Sequence, residues 1–268
     1  MRAYQFITEA PVKPYETELS TIVESVATIK EHCSQAIPML INNKPLWRGM
    51  NNHSEKILQI WPETGERKSQ NTSNYYTQIL ANSPLLSGFP KRNKSVICST
   101  SSDTARGFAG GAWGGGGLYA IIPYDHVEIG ICPTSDLWDI NVTIPELEIY
   151  GKSMTYLNEK LYQFDLAENF RTMQQQLNNP TSIPYQKVAA FFARNRFGRA
   201  DQYTPEQLIP ALFKALSPEN LGLQLMNVSE FAANPPERKE CWVSGPCVAI
   251  HSDYFADVRV QFMPGTPR

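Results

Sequence analysis

The spacing of apolar positions changes several times along the chain, and each change predicts a new element. In residues 16–32 (ETELSTIVESVATIKEH), Leu19, Ile22, Val23, Val26 and Ile29 recur at steps of three and four, which places them on one face of a helix. A short strand follows, ending in KPLWRGM. Residues 66–94 are polar and turn-rich around a helix predicted at SNYYTQIL. SVICS, LYAIIPY and VEIGICP then read as strands separated by Gly and Pro. From Thr143 the period lengthens again. Leu147, Tyr150, Met154, Leu157 and Leu161 predict one amphipathic helix over TIPELEIYGKSMTYLNEKLYQF, with Thr143 and Glu146 as a capping box and Pro145 in the first turn. Further helices are predicted at 164–177, 185–194 and 205–216, the last with Leu208, Ile209, Leu212, Phe213 and Leu216 inward. ECWVSGPCVAI (240–250) and DVRVQFMP (257–264) return to strand patterning. The pattern predicts an α+β class, with one domain over residues 1–268 and a helical insert at about 144–235.

Composition narrows the function without choosing it. The 268 residues are 42% apolar and 11% aromatic, enough for a proper core, and the net charge of −2 gives no global field for nucleic acid. The basic runs KRNK (91–94) and ARNRFGR (193–199) read as solvated surface. No run approaches the apolar length of a membrane span, and MRAYQFITEA lacks the pattern of a signal peptide. Five scattered cysteines, with no C-x-x-C pair, predict reduced thiols in a cytosol-like compartment. The four histidines form no ligand set, so neither metal nor a disulfide framework is expected. The glycines at 107, 110, 111 and 114–117 contain no G-K-[ST] and open no helix after a strand, so they read as a hairpin lip rather than a phosphate cradle. Tyr75, Tyr76 and Trp113 read as core or rim packing, and Cys98 and Cys132 as buried strand residues.

What remains is a spaced set. Arg48 ends an apolar strand in LWRG, Ser99-Thr100-Ser101 end the strand SVIC, and Ala105 and Phe108 follow at helical spacing before the strand LYAIIPY. In this order the motifs LWRGM, STSSDTARGF and LYAIIPYDHVEIGICPTS resemble the ADP-ribosyltransferases of the Arg-Ser-Glu, toxin-like class. The resemblance covers residues 45–135 and extends to 238–262. RKSQNTSNYYT is similar to phage-encoded relatives, which implies the host cytoplasm or the virion as its location. The fold so implied is a split, two-sheet core.

The resemblance also implies a reaction. NAD is the substrate, nicotinamide is expelled through an oxocarbenium-like state, and ADP-ribose passes to a macromolecular acceptor. Arg48 would clamp the diphosphate. Ser99 would hold the strands carrying Arg48 and the glutamate, Thr100 and Ser101 would complete that lattice, and Phe108 would pack beneath it or touch nicotinamide. A carboxylate is still needed to stabilise the developing charge. Glu148, in the pair Glu146-Leu147-Glu148, lies in the first turn of a predicted helix, where acidic residues are common for dipole reasons. Glu240 heads a predicted strand and is favoured. Arg238 stands where the family often has Glu or Gln, which argues against an arginine acceptor. Two other readings stay open: a non-catalytic scaffold that binds a partner, and an NAD glycohydrolase that hands the sugar to water.

Overall fold

A computed structural model describes residues 16–50, 55–64, 74–109, 116–145, 149–195 and 207–265. The strands are β1 (Glu16–Glu18), β2 (Leu46–Met50), β3 (Ile57–Ile60), β4 (Val96–Ser99), β5 (Gly117–Pro123), β6 (Glu128–Ile131), β7 (Asn141–Ile144), β8 (Ile149–Ser153), β9 (Gln224–Asn227), β10 (Glu240–Val243) and β11 (Cys247–His251). The longer helices are α1 (Ile22–His32), α2 (Ile37–Ile41), α3 (Tyr75–Asn82), α4 (Ser102–Arg106), α5 (Met154–Gln163), α6 (Phe170–Leu177), α7 (Ile183–Asn195), α8 (Leu208–Ala215), α9 (Pro218–Leu221), α10 (Val228–Ala233) and α11 (Ser252–Val260). The chain is therefore α+β, built on a large antiparallel sheet.

Contacts divide the chain into two compact units. The first holds residues 1–71, 89–135 and 224–268, and carries a nine-stranded sheet in the order β1-β3-β11-β5-β2-β4-β10-β6-β9. All seven residues of β5 and all four of β10 are buried. A strand covered on both faces is apolar almost throughout instead of alternating, which is how both read in the sequence. The ladder is uneven. β2 pairs with β5 over five residues, whereas it meets β4 through the single pair Trp47↔Ser99.

The second unit holds residues 72–88 and 136–223. It comprises the β7–β8 hairpin and helices α3 and α5–α9. Tyr75 and Tyr76 are buried here; the Tyr75 hydroxyl donates to the Leu166 carbonyl at 2.6 Å, and Tyr76 meets the Trp138 ring edge-on at 4.5 Å. The first strand of its hairpin, β7, thus begins before residue 144, and by Gln224 the chain is back in the large sheet.

Three predicted elements differ from the observed ones. The single helix expected from Thr143 is a hairpin followed by a helix. Thr143 lies on β7, where its Oγ1 accepts the Gly151 N–H at 3.1 Å, and Gly151 is left-handed at φ 56°. A left-handed residue ends any helix passing through it, so α5 begins only at Met154, with Ser153 as its cap. DVRVQFMP is not a strand. The Val-x-Val alternation is the tail of α11, where Phe255 and Val258 are buried at a helical step of three and the His251 ring caps the start. Residues 16–18 pair with β3, and the predicted first helix starts only after Thr21, whose hydroxyl accepts the Glu24 N–H at 3.1 Å. Val23, expected inward, is exposed.

Candidate active site

All of the geometry that follows belongs to the first unit. The hydroxyl run after β4 has a local task for each member. Ser99 Oγ accepts the Ser101 N–H at 3.0 Å and tightens the corner. Thr100 extends the ladder to the segment before β10: its N–H donates to the Lys239 carbonyl at 3.0 Å, and its Oγ1 accepts the Lys239 N–H at 2.9 Å. Ser101 caps α4 by accepting the Thr104 N–H at 3.3 Å. Short hydroxyl side chains suit this work because they reach back to backbone donors within two or three residues.

The register brings the predicted residues onto adjacent strands. Ser99 lies opposite Trp47 on one side and opposite Glu240 on the other. The strand bearing Arg48, the strand ending in the triplet and the strand headed by Glu240 are therefore consecutive in the sheet. Arg48 is buried, and its guanidinium donates to the Ile97 carbonyl at 2.7 Å, where β2 and β4 share so little ladder. Its charge is felt nearby. Burial pushes the Cys247 thiol well up, and Arg48 opposes that shift. Burial also raises Cys241, reinforced by Cys98 and Glu240.

Glu240 is 5% exposed. Its Oε1 accepts the Arg92 Nε–H at 3.1 Å and the Trp242 Nε1–H at 2.6 Å. Both partners are buried. Arg92 arrives on the segment 89–94, which lies over β10 and β6: Phe89 meets the Trp242 ring edge-on at 6.2 Å, and a Cβ at Gly130 would stand 2.8 Å from the Phe89 ring. The run KRNK is thus not all solvated surface, because Arg92 and Asn93 are buried. A carboxylate heading a strand whose other residues are all apolar requires a partner inside. That requirement, and not the run's own composition, is the sequence signal for Arg92.

α4 packs on β2 through Gly49, where a Cβ would stand 2.3 Å from the Ala105 carbonyl oxygen and 2.5 Å from the Ala109 nitrogen. Ala105 is buried, while Phe108 lies beyond the helix and is 39% exposed. Within the glycine run, Gly116 is held tightly rather than as a free lip: a Cβ there would stand 2.3 Å from the Ala109 oxygen and 2.6 Å from the Met50 oxygen. Gly117 opens β5. Gly114, Gly115, Trp113, Glu146 and Glu148 lie outside the described residues, as does most of ARNRFGR.

A cavity of about 320 Å³ borders the strand ends and is lined in part by Trp47, Thr100, Ser101 and Arg238. Arg48, Ser99, Phe108 and Glu240 are not in its lining. Among the described residues no group of three His, Cys, Asp or Glu is placed to hold a metal, and no helix is long and apolar enough to cross a membrane. All five cysteines are buried. Comparison with protein-family models, curated proteins and solved structures finds no match.

Proposed function

We propose that the chain is an NAD-cleaving mono-ADP-ribosyltransferase, with Arg48, Ser99 and Glu240 as its site. The observation that carries this reading is the register Trp47↔Ser99↔Glu240. Three motifs far apart in sequence come to lie on three neighbouring strands, with Ser99 and Glu240 on the face of Trp47 and Arg48, in the middle of β2, on the alternate face. The split two-sheet core belongs to the same reading, and the single-pair junction between β2 and β4 supports it.

Each residue has a distinct task. Arg48 holds the NAD diphosphate through paired charge-assisted hydrogen bonds. The carboxylate of Glu240 faces the ribose and stabilises positive charge as the bond from C1′ to nicotinamide breaks; the bonding pair leaves with nicotinamide. The acceptor then forms the new bond at C1′ and loses a proton. Ser99 positions the strands bearing Arg48 and Glu240. In the resting protein Glu240 serves Arg92, so the cationic nicotinamide riboside must compete with a guanidinium for the same oxygen.

That pairing favours a second reading, in which the chain keeps the scaffold for partner binding and Glu240 is purely structural. Labelled NAD incubated with the protein and host lysate separates the two. Transfer of label that is lost in Glu240→Ala supports the transferase and its carboxylate. Loss in Glu148→Ala alone keeps the reaction and moves the carboxylate. Nicotinamide released without transfer assigns an NAD glycohydrolase. Absence of NAD binding by folded wild-type protein favours the scaffold.

A further inference from the structure

The cavity at the strand ends has a chemistry of its own. Lys44 and Arg238 line it from two different segments, and both are exposed. Glu237 is the only carboxylate in the lining, so the three charged residues there sum to +1. Thr100, Ser101 and Ser102 add three consecutive hydroxyls. Thr100 and Ser101 use their oxygens as acceptors from backbone N–H groups, which leaves their O–H protons for another acceptor. Apart from Asn43, the remaining wall is apolar. It includes the half-buried Trp47 and the buried Phe231, with three prolines. Trp47 is braced by Phe255 at 5.5 Å, which holds its ring in place.

The rim is fixed by two left-handed residues, Asn43 at φ 57° and Arg238 at φ 50°. Asn43 follows α2, where its N–H donates to the Leu40 carbonyl at 3.0 Å and the Lys44 N–H donates to the Met39 carbonyl at 2.8 Å. Asparagine tolerates that conformation, whereas a long side chain such as arginine rarely adopts it. The left-handed backbone thus holds Arg238 at the rim, which Lys44 also lines.

Two cations and a row of hydroxyls suit a phosphate, and a braced indole with proline walls suits a flat ring. The volume lies at the lower end of the range for small-ligand sites, about 300–1,000 Å³. We propose that this cavity binds a 5′-mononucleotide, either free or as the phosphorylated end of a nucleic acid strand. The inference goes beyond NAD cleavage: Thr100 and Ser101 border both sites, but Arg48, Ser99 and Glu240 are not in the cavity's lining, and Lys44, Arg238 and the Trp47 wall have no part in the proposed cleavage.

Calorimetric titration of the full chain with AMP, without NAD, tests it directly. AMP is expected to bind and to shift tryptophan emission. Adenosine and ribose 5-phosphate, each lacking one half of the ligand, are expected to bind roughly tenfold more weakly or worse. Lys44→Ala and Arg238→Ala change exposed side chains and leave the fold intact; each is expected to weaken AMP by roughly tenfold, while Glu237→Gln tightens it. A 5′-phosphorylated oligonucleotide that binds more tightly than AMP assigns a strand end, and one that does not assigns the free nucleotide. AMP binding must persist in Glu240→Gln whether or not NAD is cleaved, which separates this claim from the transferase reading. Lack of AMP binding, equal binding of adenosine, or wild-type affinity in both cation variants overturns the proposal. So does full competition by NAD that is lost in the Lys44 and Arg238 variants, because the cavity would then be part of the NAD site.

Discussion

Replacing Arg92 by methionine keeps most of the side-chain volume and removes the guanidinium that faces Glu240. The pair is 3.1 Å apart, with side chains 6% and 7% exposed. Removing one member of a buried pair costs about 3–5 kcal/mol, because the other charge loses the attraction that offset its desolvation. The Trp242 Nε1–H at 2.6 Å remains on the same oxygen, which places the expected loss at the lower end. A loss of about 3 kcal/mol corresponds to a Tm lowered by roughly 6–12 °C in a chain of this size. Urea unfolding followed by tryptophan fluorescence measures it, since Trp242 sits in the affected cluster. Glu240→Gln alone removes the counter-charge facing Arg92 and should cost a similar amount. The double variant Arg92→Met with Glu240→Gln buries no charge, so it should lose clearly less than the sum of the two singles. Single losses below about 1 kcal/mol, or a strictly additive cycle, would refute the buried pair. On the proposed reaction, Arg92→Met also removes the guanidinium that competes for Glu240, so NAD should bind more tightly to this variant despite its lower stability.

Other outcomes follow from local geometry. Gly49→Ala forces a methyl into the backbone of α4 and the turn after it, so it should cost at least about 1–3 kcal/mol and reduce NAD turnover, measured by urea midpoint and nicotinamide release. Burial raises the thiols of Cys33, Cys241 and Cys247 above their ordinary value of 9.0. A group whose folded value is raised gives stability that is complete below the unfolded value and is lost above it, so the urea midpoint should hold to about pH 9 and fall beyond it. Burial also raises Tyr119 above its ordinary value of 10.0, so it joins the fall at higher pH. A midpoint that stays flat to pH 10.5 contradicts this. Arg238→Gly relieves a left-handed arginine and should raise stability by up to about 1 kcal/mol while weakening AMP, read by the same two assays.

The central strands were legible because their burial leaves a simple trace. SVICS, LYAIIPY and ECWV are short apolar runs, and each lies between two neighbours in the sheet. The segment from Thr143 misled because Tyr150 fits a helical step but is exposed on a hairpin, and only the left-handed Gly151 reveals the break. At 257–264 a two-residue alternation masked a helix whose inward residues begin earlier, at Phe255. The adjacency of Ser99 and Glu240 was reachable by asking which strand returns beside SVICS. Arg92 was not reachable from its own surroundings, because its partner comes from β10, far along the chain. The structural tasks of Ser99, Thr100 and Ser101 were foreshadowed by their position at a strand end, but the reciprocal bonds of Thr100 with Lys239 depend on a pairing that spacing alone does not specify.

Whether Glu240 acts on NAD held by Arg48 is decided by a single comparison. Nicotinamide release and NAD affinity are measured side by side for wild type and for Glu240→Gln, at a temperature where both are folded. The variant should keep its NAD affinity to within severalfold and lose turnover by roughly 10²–10³-fold, as expected when a group that stabilises transition-state charge is neutralised. Turnover unchanged in folded Glu240→Gln, or wild-type protein that neither binds nor cleaves NAD, contradicts that role.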